Sequence, residues 1–369
     1  MIMKRICHIT TVHSRYDVRI FHKECKSLTK HYDVSLIVAD GMGDEINDSV
    51  KIYDIGKRQE SRLKRARIDS AKAYRKAQEI DADLYHFHDP ELINTGLKLK
   101  RKGKFVIYDT HEDLPRQIYG KPYLKDFLKP MVSKLIELKE NNSAKKFDYV
   151  ITATPFIRDR FLKINKNTID INNYPILEEN TINADFNRKE DAICYVGGLS
   201  QYRGVYEIIK SLEISKAKLN LAGNFEDKAF EEKCRNLKGW ANVNYHGFVS
   251  RNEIVKILNK SKIGMVTLPP LVNYIDSLPI KMFEYMLAGI PVIASDFPLW
   301  KSIIEDNNCG LCVDPGNIAS IAKATNELLN NQELMKTMGT NGRNVVLKKF
   351  NWNIEKEKLF KTYESVLQP

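Results

Sequence analysis

The sequence has no uninterrupted apolar run of the eighteen or so residues that a membrane-spanning helix requires. Its first residues, MIMKRICHITTVHSRYD, contain too short an apolar patch for a secretion signal. Only six cysteines occur, and the one close pair, Cys309 and Cys312 in CGLC, is typical of an apolar strand entering a Val-Asp-Pro-Gly turn. These features favour buried free thiols over a redox or metal pair, and they predict a cytoplasmic location.

Acidic residues are outnumbered, with 58 Lys and Arg against 47 Asp and Glu, which gives a net charge of +11. This excess favours anionic partners in general: nucleic acid, phosphate ligands or a membrane surface. Part of it lies in residues 57–78, whose helix-compatible composition is equally typical of a solvated helix face. Because no nucleic-acid-binding module or aromatic platform accompanies the basic residues, we expect no nucleic acid partner.

Short β-branched runs alternate with longer helical patterns, and they do so in two series. Such alternation predicts parallel sheets covered on both faces by helices, an α/β fold of doubly wound type. The runs are RICHIT, VSLIVAD, DLYHFH, FVIYDTH and YVITATP in the first series, and AICYVGGL, KLNLAGNF, NVNYHGF, IGMVTLPP and GIPVIASD in the second.

The chain is long enough for two domains of ordinary size. Residues 172–191 are polar and without periodicity, so we expect the interdomain connection there. The predicted domains are residues 1–175 and 176–350, followed by a helical segment, 351–369. Two doubly wound, Rossmann-like domains would face each other across a cleft, with ligands beyond the carboxyl ends of the strands.

The segment YVGGLSQYRG joins the first strand of the second domain to a helix. Gly197 and Gly198 allow a ligand to approach the backbone after the strand, and Arg203 precedes Gly204 at the helix entrance. Backbone N–H groups and the helix dipole favour an anion at such a position, so a diphosphate is one interpretation. A plain strand-to-helix turn with an exposed arginine is the other.

One Lys and one Glu interrupt the apolar run SLPIKMFEYMLAGIPVIAS. Ser277 is predicted as the N-cap of a helix of about three turns, with Pro279 in the first turn and Gly289 at the end. Lys281 and Glu284 share one stripe of this otherwise apolar helix, which we expect to be buried nearly all round. A surface ion pair between Lys281 and Glu284 fits poorly with the apolar residues on either side of them. A nucleotide diphosphate fits better, with the carboxylate on the ribose hydroxyls and the amine on the phosphates.

These motifs, with LNLAGNF and VNYHGFVSRNEIVKILNKSKIGMVTL, resemble the donor domain of retaining GT-B glycosyltransferases of family 4. In the first half, HITTVHSRYDVRIFHKECKSL, YHFHDPEL and IYDTHEDLP resemble the branch that builds bacterial surface polysaccharides such as O-antigen or capsule. The resemblance covers essentially the whole chain. It implies the GT-B fold, and in relatives the last helix crosses back to the first domain.

The resemblance also implies roles for single residues. Of the family's two acids eight positions apart, Glu284 would bind the ribose, and Asp276 takes the place of the usual first Glu, beside Ser277 where Gly is usual. The family's arginine directly after the first glycine, Gly197, is replaced by Gly198, so we propose that Lys281 supplies the missing cation. The resulting donor-binding candidates are Gly197, Gly198, Arg203, Asp276, Ser277, Lys281 and Glu284.

In the first domain, His111 of YDTHED matches the family's cleft histidine at the donor sugar. The catalytic candidates are therefore His111, Arg203 and Lys281. A metal reading of HFHD is rejected, because His86 and His88 are expected on one face of a strand and the family needs no metal for turnover. The lower-grade candidates are His13, Asp17, Arg19, His88 and Asp89, and Asp17 with Arg19 is equally readable as a structural pair.

The implied function is transfer of a sugar, with retention of configuration, from a nucleotide diphosphate sugar to a hydroxyl of a glycan or polyprenyl-diphosphate-linked oligosaccharide. UDP is favoured as the nucleotide, with GDP next, and no cofactor or metal is expected. The family is described by front-face attack, in which the leaving phosphate accepts the acceptor's proton. Two alternatives stay open: a sugar-nucleotide epimerase of the same architecture, and a non-catalytic nucleotide-sugar-binding protein.

The segment Tyr119–Lys146 combines lysines with apolar residues, a mixture suited to an anionic membrane surface. We therefore expect peripheral contact with the inner face of the plasma membrane. In the alternative interpretation, the apolar residues pack this helix onto its own sheet and leave the lysines in water. The apolar residues concerned are Tyr123, Phe127, Leu128, Met131 and Leu135.

Overall fold

The computed structural model describes residues 3–120, 124–177 and 189–368. The chain divides into two compact units: unit 1 comprises Met1–Asn173 and Trp352–Pro369, and unit 2 comprises Tyr174–Asn351. Most of the expected connection over residues 172–191 falls on 178–188, outside the described residues. Tyr123 of the expected membrane segment also lies outside them.

Unit 1 is built on an eight-stranded sheet in the order β3-β4-β2-β1-β5-β6-β7-β8, parallel except that β3 is antiparallel to β4. β1 pairs with both β2 and β5, so the strand order reverses at β1. At such a reversal, the loops that follow the two neighbouring strands, here β1 and β5, run in opposite directions. They leave a crevice between them in which ligands bind. The strands are β1 Arg5–Ile9, β2 Asp33–Val38, β3 Glu45–Asn47, β4 Val50–Asp54, β5 Leu84–Phe87, β6 Phe105–Thr110, β7 Tyr149–Thr152 and β8 Thr168–Asp170.

The helices of unit 1 connect these strands, and the last one comes from the end of the chain. It is tied to the unit by Trp352, whose indole N–H donates to the Ser27 hydroxyl at 3.0 Å. The α-helices are Lys26–Leu28, Arg62–Lys64, Ser70–Ile80, Ile93–Arg101, Leu114–Gln117, Lys129–Ala144, Pro155–Leu162 and Trp352–Leu367, with π-helical turns Val18–Cys25 and Arg65–Asp69 and 3₁₀ turns Pro90–Leu92, Ile118–Gly120 and Asp126–Leu128.

Unit 2 contains a six-stranded parallel sheet in the order β11-β10-β9-β12-β13-β14. β9 pairs with β10 on one side and β12 on the other, so the strand order reverses there. The ligand site of such a sheet is expected beyond the carboxyl ends of β9 and β12. The strands are β9 Ala192–Val196, β10 Lys218–Ala222, β11 Val243–Gly247, β12 Ile263–Val266, β13 Val292–Ser295 and β14 Gly310–Val313.

Helices cover both faces of this sheet because side chains alternate along each strand. In β9, Ile193 and Tyr195 join one apolar core, and Cys194 and Val196 join the other. The predicted doubly wound α/β fold is confirmed. The helices of unit 2 are Val205–Ser215, Lys228–Arg235, Arg251–Lys260, Val272–Ile275, Ile280–Leu287, Pro298–Ile304, Ile318–Leu329 and Gln332–Lys349, with 3₁₀ turns Gln201–Arg203 and Lys238–Asn242.

Within the described residues, no helix combines the length and the apolar character that crossing a bilayer demands.

Candidate functional site

The helix Ile280–Leu287 is fixed against the reversal point of the unit 2 sheet. Its Tyr285 ring lies over Gly264 of β12, where a side chain would collide with the ring at 2.2 Å. The Tyr285 hydroxyl accepts a hydrogen bond of 2.9 Å from the backbone N–H of Val196, the last residue of β9. Residues 282–287 are all buried, as predicted. The helix is therefore held rigidly beside the loop that follows β9.

Lys281 projects from this helix toward that loop. Its Nζ lies 3.7 Å from the centroid of the Tyr195 ring, a cation–π contact. The Nζ is buried and has no hydrogen-bond partner among the residues that the structure describes. A side-chain carbon at Gly197, whose φ is +138°, would lie 2.8 Å from it. A buried amine without an acceptor is costly, and an anion placed beside it would satisfy it.

The electrostatics of Lys281 reflect this position. Burial and, to a smaller extent, the nearby Arg203 guanidinium together lower the pKa of its amine to about 7, against the opposing effect of Glu284. Arg203 itself stacks over Tyr274, with 5.4 Å from its guanidinium carbon to the ring centroid. Two cationic side chains therefore gather at the end of β9, as the diphosphate interpretation requires.

Glu284 is buried, and it is paired with a residue that the sequence interpretation missed. The Nη1 of Arg251 lies 2.6 Å from Glu284 Oε1. Arg251 opens the helix that follows the capping-box residue Ser250, 33 positions before Glu284 along the chain. The local pattern identifies a helix start there, but nothing in it indicates this distant partner.

Asp276 and Ser277 lie a few positions before this helix, and the role of Ser277 differs from the prediction. The helix starts at Ile280 and spans eight residues, so the expected three turns and the N-cap role of Ser277 are wrong. The Ser277 hydroxyl instead donates to the Tyr274 carbonyl at 2.8 Å, and its own carbonyl accepts from the Trp300 indole at 2.7 Å. Asp276 lies at the C-terminal cap of the short helix Val272–Ile275.

Unit 1 contains a buried group of four histidines and two carboxylates, which we call the histidine cluster. His86 and His88 share one face of β5, as predicted, with ring centroids 4.5 Å apart. His8 of β1 is the direct neighbour of His86 in the parallel register. The members of the cluster are His8, Glu24, His86, His88, Asp109 and His111.

Arg19 neutralises the carboxylate at the centre of this cluster. Its Nε and Nη2 donate to the two oxygens of Asp109 at 3.0 and 2.9 Å. Burial raises the pKa of Asp109, but Arg19, His111 and His88 together outweigh it, and the pKa lies well below its ordinary value. Asp17 and Arg19 are paired through the Arg19 backbone N–H, which donates to Asp17 Oδ1 at 2.8 Å, while the guanidinium binds Asp109 and approaches Glu24 at 3.1 Å.

His111 forms the partly exposed edge of the cluster. Its Nε2 lies 3.0 Å from Asp109 Oδ2 and 3.2 Å from His88 Nδ1, and 16% of its side chain is exposed. Burial lowers the pKa of His88 to about 4 despite its contact with Asp109, so His88 is a neutral ring. His111 is thus the member of the cluster with access to solvent.

Asp89 and Asp17 hold the loop after β1. Asp89 Oδ2 accepts hydrogen bonds from Thr11 and from the backbone N–H of Val12. Asp17 Oδ1 caps the turn that follows by accepting from the N–H groups of Arg19 and Ile20. His13 lies between the two carboxylates, 3.5 Å from each, and its pKa is raised because these contacts outweigh its burial. These positions carry a clear structural role.

Comparisons with known proteins agree on the class. Residues 178–345 match the family model described as Glycosyl transferases group 1. An uncharacterized glycosyltransferase of Methanocaldococcus jannaschii is 29% identical over 174 residues, covering 46% of this chain and 43% of that protein. A capsular polysaccharide biosynthesis glycosyltransferase of Staphylococcus aureus is 24% identical over 223 residues, covering 59% and 56%. The chain thus spans about half the length of these relatives.

The structure of Anabaena HepE in complex with UDP and glucose matches with a TM-score of 0.73 at 15% identity, covering 98% of this chain and 100% of that chain. The two parallel-sheet units have the GT-B fold. With the group 1 match and the glycosyltransferase relatives, this supports a GT-B glycosyltransferase.

Proposed function

We propose that this protein is a retaining glycosyltransferase that moves a sugar from a nucleotide diphosphate sugar to a hydroxyl of a glycan or lipid-linked oligosaccharide in surface polysaccharide biosynthesis. One observation carries the proposal: the buried Lys281 amine, which hydrogen-bonds to none of the described residues, lies beside Gly197 at the reversal point of the unit 2 sheet. Such a position suits an anionic ligand at the carboxyl ends of the strands.

In this proposal the diphosphate lies along Gly197 and Gly198, between Arg203 and Lys281. As the bond to the anomeric carbon breaks, negative charge grows on the departing phosphate. Cations already in place stabilise that charge more in the transition state than in the ground state. Arg203 and Lys281 would supply this stabilisation without a metal ion.

Glu284 would accept hydrogen bonds from the ribose hydroxyls, with Asp276 and Ser277 at the same end of its helix. The Arg251 contact supports this role, because it holds the Glu284 carboxylate in one orientation. From unit 1 we propose His111 as the catalytic histidine, since it is the partly exposed member of the histidine cluster. UDP is the favoured nucleotide, and the UDP complex of HepE is in keeping with it.

The acceptor side of the proposal rests on the helix Lys129–Ala144. This helix buries Ser133, Glu140, Ser143 and Ala144 and exposes several apolar residues, so most of its buried positions are polar, unlike those of an ordinary surface helix. Glu140 is held inside by Arg160 and Tyr108, each at 2.7 Å. Of the expected apolar residues, Phe127, Met131 and Leu135 are not packed onto the sheet. The exposed fractions are 74% for Phe127, 55% for Met131, 59% for Leu135 and 50% for Leu138.

We call the stripe formed by Phe127, Met131, Leu135 and Leu138 the apolar stripe. Exposed lysines at 134 and 139 lie on the same helix, which suits an anionic bilayer carrying a polyprenyl-linked acceptor. The capsular polysaccharide relative is in keeping with such an acceptor.

Donor turnover tests the function. Purified protein is given a panel of UDP-, GDP-, ADP- and dTDP-sugars, and release of nucleoside diphosphate is measured with and without a membrane lipid extract. We expect release with one donor, only with the extract, and none from the Glu284→Ala variant. Release without an acceptor would instead favour the epimerase, and binding without release a non-catalytic protein.

A further inference from the structure

Three atoms of the histidine cluster form a compact triangle. His8 Nδ1 lies 3.0 Å from His88 Nε2, and both nitrogens lie 3.9 Å from Glu24 Oε2. A point equidistant from these atoms lies about 2.1 Å from each, which matches the zinc–nitrogen and zinc–oxygen distances of roughly 2.0–2.2 Å. His86 completes a group whose ligand atoms all lie within 4.8 Å of one another.

The other nitrogens of these rings already have partners. His8 Nε2 bonds the Tyr363 hydroxyl at 3.0 Å, and His88 Nδ1 bonds Asp109 Oδ2 at 3.2 Å. A metal-bound histidine characteristically uses its second nitrogen in this way, which fixes the ring orientation and directs the first nitrogen at the ion.

The His8 and His88 nitrogens of the triangle contact each other, whereas Glu24 and His86 carry polar atoms without hydrogen-bond partners among the described residues. Glu24 is fully buried, yet neither of its carboxylate oxygens accepts a hydrogen bond from the described residues, although Arg19 lies 3.1 Å from one of them. The Nε2 of the fully buried His86 also makes no hydrogen bond within the described part of the chain, and it lies 3.8 Å from Asp109 Oδ2. Buried polar atoms of this kind are costly, and a cation would satisfy the carboxylate directly.

We propose that His8, His88 and Glu24 bind a first-row divalent transition metal ion, with His86 as a further ligand. Two imidazoles and one carboxylate are a ligand set suited to zinc. This metal site is independent of the proposed sugar transfer. Because the site is buried, we assign the ion a structural role. It joins β1, the turn Val18–Cys25 and the end of β5, and through Tyr363 it reaches the last helix.

This inference reverses the sequence interpretation at HFHD, which set aside a metal at His86 and His88. The spacing within the motif supplies only two nitrogens on one face. The remaining ligands, His8 and Glu24, come from distant parts of the sequence, and only the fold brings them together.

The test is the metal content of protein purified from zinc-supplemented cells in buffers that contain a chelator. We expect about one zinc ion per chain, and at least a tenfold lower content in Glu24→Gln and His8→Gln. Glu140→Gln is the matched control, because Glu140 is an equally buried glutamate of unit 1 outside the cluster. The Glu140→Gln variant should keep its zinc. Circular dichroism establishes that each variant is folded.

A second measurement covers variants that fail to fold. Wild-type protein refolded with Co²⁺ should show the visible absorption of a low-symmetry cobalt site, and Tyr363→Phe, which removes one hydroxyl outside the ligand set, should weaken cobalt binding by about 10–100-fold. Wild-type protein that carries no zinc and takes up no cobalt would overturn the proposal. Loss of the ion in His111→Gln together with its retention in Glu24→Gln would also overturn the proposal. That result would assign the ion to the neighbouring group His88, Asp109 and His111.

Discussion

The amino group of Lys281 occupies the space that a side chain at Gly197 would need, since a carbon added there would lie 2.8 Å from Nζ. Gly197 also has a φ of +138°, which residues with a side chain rarely adopt. The missing side chain at Gly197 therefore makes room for the long side chain of Lys281. Substitutions at either position should act on the same function.

Gly197→Ala should lower the free energy of unfolding by about 1–3 kcal/mol, because the added carbon meets both an unfavourable φ and the Lys281 amine. Gly198→Ala is the matched control, since nothing lies within 4 Å of a carbon added there and its φ is ordinary. Urea unfolding of the two variants measures the difference. Equal effects would contradict this account of Gly197.

Lys281→Met should weaken donor binding at least tenfold while it raises the free energy of unfolding by roughly 1–3 kcal/mol, because methionine fills the same space without a buried amine. Calorimetric titration of the donor and urea unfolding of the donor-free protein measure the two effects. Lys262→Met serves as the control, because that lysine pairs with Asp191 at the surface. An unchanged donor affinity in Lys281→Met would refute the diphosphate role.

Stability should depend on pH through Lys281. Its pKa is about 7 in the folded protein against 10.5 as the ordinary value. Between these values the unfolded chain holds a proton that the folded chain lacks, so the free energy of unfolding rises with pH in this window. The rise should be absent from Lys281→Met. Coincident pH profiles of the two proteins between pH 7 and 10 would be evidence against the depressed pKa.

Donor binding should take up a proton for the same reason. At pH 8 the Lys281 amine of the free protein is mostly neutral, and an adjacent diphosphate favours its charged form. Titrations in buffers of different ionisation enthalpy should therefore report uptake of close to one proton per donor bound at pH 8. Lys281→Met should show none. Equal proton uptake in both proteins would place the titrating group elsewhere.

Glu284→Gln should abolish the preference of the protein for a donor that carries the ribose 2′-hydroxyl. The wild type should bind the 2′-deoxy form of its donor at least tenfold more weakly, because a carboxylate loses one charge-assisted hydrogen bond of about 1.5–3 kcal/mol. The variant should bind both forms with similar, weak affinity. Glu253→Gln, on the neighbouring helix, should discriminate as the wild type does. Retained discrimination in Glu284→Gln would remove Glu284 from the ribose site.

Substitution of the apolar stripe should release the protein from membranes. The double variant Met131→Glu and Leu135→Glu should bind anionic vesicles at low salt at least tenfold more weakly, because it replaces two side chains that would each bury apolar area in the bilayer. Leu347→Glu, at a 43% exposed position in unit 2, is the control. Vesicle sedimentation measures binding. If the wild type stays in the supernatant, the stripe serves another purpose.

The fold was predictable because the signal is local and repeated. Each predicted apolar run contains one strand, namely β1, β2, β5, β6, β7 or one of β9 to β13. Most of these strands are buried on both faces and are therefore apolar along their whole length. The strands β3, β4 and β8 were missed, because β3 and β8 have only three residues each and β4 alternates buried with partly buried residues.

The donor-site helix was predictable in its burial but not in its contacts. Lys281 and Glu284 stand out as charges in an apolar run, whereas Arg251 and Tyr195, which contact them, look ordinary in their own segments. The histidine cluster shows the same limit. HFHD contains two of its members, but Tyr363 lies 355 positions from His8 along the chain. No local sequence pattern predicts a contact between residues so far apart.

Unit 1 is interrupted in the sequence, because Tyr174–Asn351 form unit 2 before the chain returns at Trp352. During translation, unit 2 is complete before the last helix of unit 1 has left the ribosome. At about 5–20 residues per second, the first segment waits roughly 10–35 s for that helix. Until it arrives, His8 and His86 lack the Tyr363 hydroxyl. A nascent chain released before residue 352 would hold an unfinished first unit, a natural substrate for chaperones.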